Sequence, residues 1–310
     1  MTTTTSWRLL LLTAIAPMTW GTTYVVSTEW LPPERPLLAA TVRALPAGLL
    51  LVALGRQLPR GDWWWRAAVL GALNIGAFFA LLFVAADRLP GGVAATLGAV
   101  QPLVVVGLSA ALLSERVTVR SILAGVVGVL GVALLVLRSS AGLDTVGVLA
   151  GLAGAVSMAL GVVLSKRWAR PEGVSVISYS GWLLAAGGLW LFPLTMGFEA
   201  PPATLTATHV GGFAYLATIN TAVAYCLWLR GIQLLPARNV AYLGLLSPIV
   251  ATVVGALALG ETLTALQSLG LALALGSMVA GQTTPRRLHT VPGTGPAPNA
   301  ARAVSAREAA

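Results

Sequence analysis

Charged residues are scarce in this chain: Asp, Glu, Lys and Arg make up 9% of its 310 residues. A soluble domain carries about a quarter, so a water-soluble protein of this length could not cover its surface. That argues against a soluble α/β enzyme with a large apolar core. The lone Cys226 rules out an internal disulfide and leaves the redox compartment unread. There are 2 histidines, His209 in a loop and His289 near the C-terminus. No His/Cys cluster has metal-ligand spacing, and no P-loop, G-x-G-x-x-G context or G-x-S-x-G elbow is present. The sequence therefore calls for no cofactor or metal, and an intramembrane enzyme would lack its nucleophile and base. A nucleic-acid reading would need a basic soluble domain, and none is present. No re-entrant filter segment separates the apolar runs, which argues against an ion channel.

What the chain does contain is long apolar stretches. Hydrophobic residues make up 57% of it. A bilayer-crossing helix needs about 20 mostly apolar residues, and ten segments qualify. The first five are Leu9–Ser27, Pro36–Leu54, Ala67–Ala86, Gly91–Leu113 and Val119–Leu137. The second five are Val146–Leu164, Val176–Met196, Val210–Leu229, Asn239–Leu259 and Thr264–Gly281. Backbone groups in hydrocarbon must be satisfied within a segment, so these are expected to be helices rather than open strands. Arg8 followed by LLLLTAIA looks like a signal peptide, but the apolar run continues through TYVVS and is long enough to span. Residues 283–310 turn abruptly to Pro, Gly, Ala and Arg and are expected to be a disordered basic tail.

Lys and Arg accumulate in cytoplasmic loops. With the N-terminus inside, the inner segments hold Arg8, Arg56, Arg60, Arg66, Arg116, Arg120, Lys166, Arg167, Arg170, Arg230, Arg238 and the tail arginines. The outer loops hold only Arg35, Arg88 and Arg138. The net charge of +9 thus reports topology. Both termini are expected on the cytoplasmic side of the cell membrane. Trp63, Trp64 and Trp65 beside Arg66 fit an aromatic belt at a membrane face.

The chain also repeats itself. GAVQPLVVVGLSAALLSERVT (98–118) aligns without a gap on GLLSPIVATVVGALALGETLT (244–264), a shift of 146 residues. Pro102 falls on Pro248, Glu115 on Glu261, Asn74 on Asn220 and Phe79 on Tyr225. A looser match, shifted by 140, puts Met18 on Met158 and Gly21 on Gly161. Each half then holds five spans. An odd count makes the second half enter from the opposite side, so the repeats are expected to be inverted, 1–140 against 141–282. That arrangement is characteristic of secondary transporters, whose substrate site lies near the midplane between halves.

These residues resemble the drug/metabolite transporter superfamily in its ten-helix EamA-type branch. The resemblance rests on Trp20-Gly21-Thr22-Thr23-Tyr24, on Arg43, on Pro102 with Ser114-Glu115-Arg116, and on Pro248 with Gly260-Glu261-Thr262. It covers nearly all of residues 7–282 and implies an exporter of amino acids, their relatives or other small metabolites. No Asp or Glu lies mid-span, whereas small multidrug exporters of that superfamily rely on such an acid. Multidrug efflux is therefore the lesser alternative.

Polar groups in a bilayer usually face the bundle interior. The candidates for solute contact are Trp20, Thr23, Tyr24, Asn74, Phe78, Gln101, Ser157, Asn220, Tyr225 and Ser247. For the small residues the competing reading is close helix packing. For the asparagines and Gln101 it is hydrogen bonding between helices. Arg43 is the only charge well inside a span. It either snorkels to the outer interface or attracts an anionic or zwitterionic solute. Glu115 and Glu261 precede Thr118 and Thr264 and are read as capping or gating groups. Pro102 and Pro248 are a candidate pair of hinges within the fourth and ninth helices. The expected partners are a small solute and the lipid bilayer, with a monomer and a homodimer equally compatible.

Overall fold

The computed structural model describes residues 7–89, 97–136, 144–202, 204–259 and 264–282. Among them every regular element is helical. Eight helices are long and apolar enough to cross a membrane, and two shorter apolar ones complete ten. Calling the ten α1 to α10, α1 is Trp7–Gly21 continued by Thr23–Trp30, and α2 is Pro36–Gly55. α3 runs Trp63–Gly71, Ala72–Gly76 and Ala77–Arg88. α4 is Gln101–Leu113 and α5 is Val119–Val136. α6 is Thr145–Trp168 and α7 is Val176–Phe198. α8 runs Ala207–Ala217, Thr218–Val223 and Ala224–Leu234. α9 is Ala237–Leu243 then Leu246–Leu259, and α10 is Ala265–Gln282.

The boundaries differ from the sequence expectation where polar chemistry decides them. α3 begins at Trp63, four residues before the apolar run, because its tryptophans and Arg66 form the first turn. Ser175 caps α7 by accepting from the Ser178 amide at 3.0 Å. Thr118 and Thr264 cap α5 and α10, each hydroxyl accepting from an amide three residues on at 3.2 Å.

Glycine sets how the helices meet. In α2 and α7, Leu45 lies against Gly188, Gly48 against Ala185, Val52 against Gly181 and Gly55 against Ser178. One index rises as the other falls, so the two helices are antiparallel. A methyl group at Gly48 would lie 2.2 Å from the Ala185 nitrogen, so the backbones touch. α5 and α10 repeat the design: Gly128 meets Ser277, Gly131 meets Ala274 and Gly270 meets Leu135.

These contacts carry an internal two-fold. Moving on by 140 residues takes Leu45 to Ala185 and Gly48 to Gly188, so the Leu45–Gly188 contact maps onto the Gly48–Ala185 contact. Moving on by 146 takes Gly131–Ala274 onto Gly128–Ser277 in the same way. The remaining packing obeys the same exchange. α3 packs on α6 as α8 packs on α1, and α4 on α6 as α9 on α1. Equivalent helices run in opposite directions, which makes the fold two inverted five-helix repeats. The main core joins α1–α4 to α6–α9, while α5 and α10 share a smaller cluster with Tyr242, Leu245 and Ile249 of α9 and its break.

Candidate functional site

Two helices are locally widened, at equivalent places. Ala72–Gly76 in α3 and Thr218–Val223 in α8 are π-helical, and a shift of 146 superposes their first residues. A π-turn takes backbone carbonyls out of the regular ladder and offers them to other partners. Each carries its asparagine, Asn74 or Asn220, at the third position, and both side chains are buried.

Asn220 organises one polar knot. Trp20 donates its indole N–H to the Asn220 carbonyl at 3.0 Å. The Thr23 hydroxyl donates to Asn220 Oδ1 at 3.2 Å, and Asn220 Nδ2 donates to the Thr19 carbonyl at 2.6 Å. α1 is interrupted at this level, where the Thr22 hydroxyl turns back to the Thr19 carbonyl at 2.7 Å. Trp20 also packs on Tyr225 and Trp228, with ring centroids 5.2 and 5.0 Å away.

Into this knot reaches Arg43 from α2. Its Nε donates to Thr221 Oγ1 at 2.9 Å and its Nη2 to Asn220 Oδ1 at 2.5 Å. The guanidinium carbon lies 5.0 Å from the centre of the Phe79 ring. The residue is 8% exposed, so the side chain does not snorkel to an interface. It is held inside by neutral acceptors and an aromatic face. No carboxylate pairs with it among the described residues.

Asn74 sits in the equivalent knot of the other half, between α3 and α6. Its Nδ2 donates to the Leu70 carbonyl at 2.9 Å, with Ser165 Oγ at 3.5 Å. Its Oδ1 is buried and has no hydrogen-bond partner among the described residues. Ser157 donates to the Leu73 carbonyl at 2.9 Å, a carbonyl within the π-turn. Gly161 makes room for the amide: a methyl group there would lie 2.6 Å from three of its atoms.

The structure thus brings Trp20, Thr23, Arg43, Asn220 and Tyr225 together, and places Asn74 and Ser157 in a second group. Phe78 is half-buried and packs on Phe79, centroids 5.5 Å apart. It is Phe79, the repeat partner of Tyr225, that meets Arg43. Among the described residues no hydrogen bond joins Gln101 or Ser247 to either group. Gln101 Nε2 is buried without a partner among the described residues, and the Ser247 carbonyl backs onto Gly21. Tyr24 lies on the helix, but its side chain, like all of Glu261, falls outside the described residues. Thr221 and Trp228 were missed by the sequence reading. Thr221 adjoins the repeat-paired Asn220, which was the available signal; for Trp228 there was none.

Two expectations change. Pro102 and Pro248 do not interrupt regular helices midway. Each lies in the first turn of a helix, Gln101–Leu113 or Leu246–Leu259, after a break at Ala99–Val100 or Gly244–Leu245. Proline is tolerated there because the first-turn amides have no intrahelical partner. Glu115 does not serve the helix that follows it. Its Oε1 accepts from the Ala237 amide at 3.3 Å, at the start of α9. Nearby, Lys166 donates to the Ile232 and Gln233 carbonyls at 3.2 and 3.4 Å, joining the ends of α6 and α8.

A family model described as "EamA-like transporter family" matches the chain twice, over residues 7–137 and 145–280. Protein PecM of Dickeya dadantii is 44% identical over 264 residues, covering 85% of this chain and 89% of that protein. A protein of Streptantibioticus cattleyicolor named probable terminal-alkyne amino-acid exporter is 31% identical over 269 residues, covering 84% of this chain and 86% of its own. A crystal structure 22% identical in sequence has the same fold, with a TM-score of 0.76 over 91% of this chain and 99% of that one. With the matched residues spanning nearly all of both five-helix halves, the chain belongs to the EamA-like transporter family, and is a multi-pass membrane transporter rather than an enzyme.

Proposed function

We propose that this transporter exports a small polar metabolite bearing a carboxylate, an amino acid or a close relative, across the cytoplasmic membrane by alternating access. Its halves, 1–140 and 141–282, rock about a shared central site, and 283–310 form a cytoplasmic tail. The observation that carries the reading is Arg43. A buried guanidinium with only neutral acceptors keeps a full positive charge in a medium where an unpaired charge is costly. A solute carboxylate entering between the halves would supply the missing counter-charge through a two-pronged, charge-assisted contact. Trp20 and Tyr225 present aromatic faces beside it. The relative named for an amino-acid substrate supports the same class. The lysine and arginine distribution supports cytoplasmic termini.

The test has two stages. Amino acids in the medium of deletion and overexpression strains nominate the solute, and counterflow of that labelled solute is then measured in proteoliposomes. Saturable exchange that falls at least about tenfold in Arg43→Gln, the loss of one charge-assisted contact, is expected. Ohmic conductance, or exchange indifferent to Arg43→Gln, overturns the reading.

A further inference from the structure

The internal two-fold makes each half a template for the other, and the two asparagine knots differ at one place. Asn220 Oδ1 receives a guanidinium N–H from Arg43 and a hydroxyl from Thr23. The 140-residue shift that superposes α2 on α7 carries Arg43 onto Leu183, and the shift of 146 carries Thr221 onto Ile75. Leu183 and Ile75 are both fully buried. The first half therefore has the acceptor without the cation that its twin accepts. Among the described residues Asn74 Oδ1 is buried and unpartnered, while its own Nδ2 is committed to the Leu70 carbonyl. An orphaned buried acceptor costs about 1–3 kcal/mol, and a hydrophobic residue would avoid that cost. Its surroundings are polar and small: Ser157, Gly161 and Ser165 line the facing side of α6.

We propose that Asn74 Oδ1 is the seat of a primary ammonium group, filled by ligand where Asn220 Oδ1 is filled by Arg43. The class of ligand is an amine, and a solute long enough to present a carboxylate to Arg43 as well would be bound as a zwitterion. That last step rests on the transport reading above; ammonium binding at Asn74 does not. An ammonium donates three N–H groups, enough for Asn74 Oδ1 and the Ser165 hydroxyl together. Oδ1 is occluded in this conformation, so the ligand reaches it when α3 and α6 part at Gly161.

The two claims are separated by two probes. Thermal unfolding of the purified full-length protein in non-ionic detergent is followed against n-butylammonium chloride and, separately, sodium butyrate, with 1-butanol as the apolar control. The proposal expects n-butylammonium to stabilise the wild type. Asn74→Leu should weaken its apparent affinity about tenfold or more, one charge-assisted hydrogen bond, and Asn74→Asp should tighten it. Leu183→Arg, which gives the first half its own guanidinium, should abolish the ammonium effect while leaving that of butyrate. Asn74→Asp keeps the test decisive if Asn74→Leu or Leu183→Arg fails to fold. No stabilisation of the wild type beyond that by 1-butanol, or the same affinity in Asn74→Asp, overturns the proposal. Stabilisation by butyrate that survives Arg43→Gln counts against the carboxylate reading alone.

Discussion

Arg43 shows where a sequence stops being legible at the scale of one residue. Its depth in the second apolar run marked it as unusual, yet that evidence left both snorkelling and solute attraction open, with snorkelling the plainer reading. What separates them is a partner 177 residues away, Asn220, and no local pattern encodes such a distance. The repeat did single out Asn74 and Asn220, because asparagine is a poor filler for lipid-facing helix. It could not show that one is saturated and the other is not. Since Asn220 holds a charged group, Asn220→Leu is expected to lose about 1.5–3 kcal/mol of stability, the range for a hydrogen bond to an ion. Thermal unfolding in detergent measures this, and a loss below about 0.5 kcal/mol would mean that Thr221 and Phe79 hold the guanidinium unaided.

Among elements, helix existence was read from apolar length, while helix interruption was signalled only near Pro102 and Pro248. The break in α1 and the π-turns in α3 and α8 leave hydropathy unchanged, because they depend on hydroxyls, an indole N–H and freed carbonyls; the break in α9 lies just before Pro248, which removes a ladder donor there. Pairing of helices was likewise hidden, although its cause lies in plain glycines. Gly48 and Gly107 look alike in sequence. A methyl group at Gly48 would lie 2.2 Å from the Ala185 nitrogen, whereas at Gly107 it would meet nothing within 4 Å. Gly48→Val should therefore abolish recovery of monodisperse protein by size-exclusion chromatography. Gly107→Ala should leave it unchanged or slightly improved, since alanine favours helix by about 1 kcal/mol. Equal yields from the two would disprove backbone contact between α2 and α7.

For the whole molecule, the duplication and the odd number of spans per half were enough to expect inversion, and the antiparallel glycine contacts of α2 with α7 and α5 with α10 display it. The lysine and arginine distribution predicts the sidedness. In a Cys226→Ser background, a cysteine placed at Arg35 should react in whole cells with a membrane-impermeant maleimide. Cysteines at Gln57 and Arg170 should react only after permeabilisation. The opposite pattern would reverse the assigned orientation. Two identical inverted halves would give the carrier a pair of end states, open to either side, that are degenerate in intrinsic free energy. Arg43 opposite Leu183 lifts that degeneracy. Under the alternating access proposed above, one end state would keep a guanidinium clamped on Asn220, and its mirror image would have only a leucine to offer Asn74. The empty carrier would then rest unequally between its two faces. This bias sets where an idle molecule waits, while the concentration gradient still decides which way net flux runs.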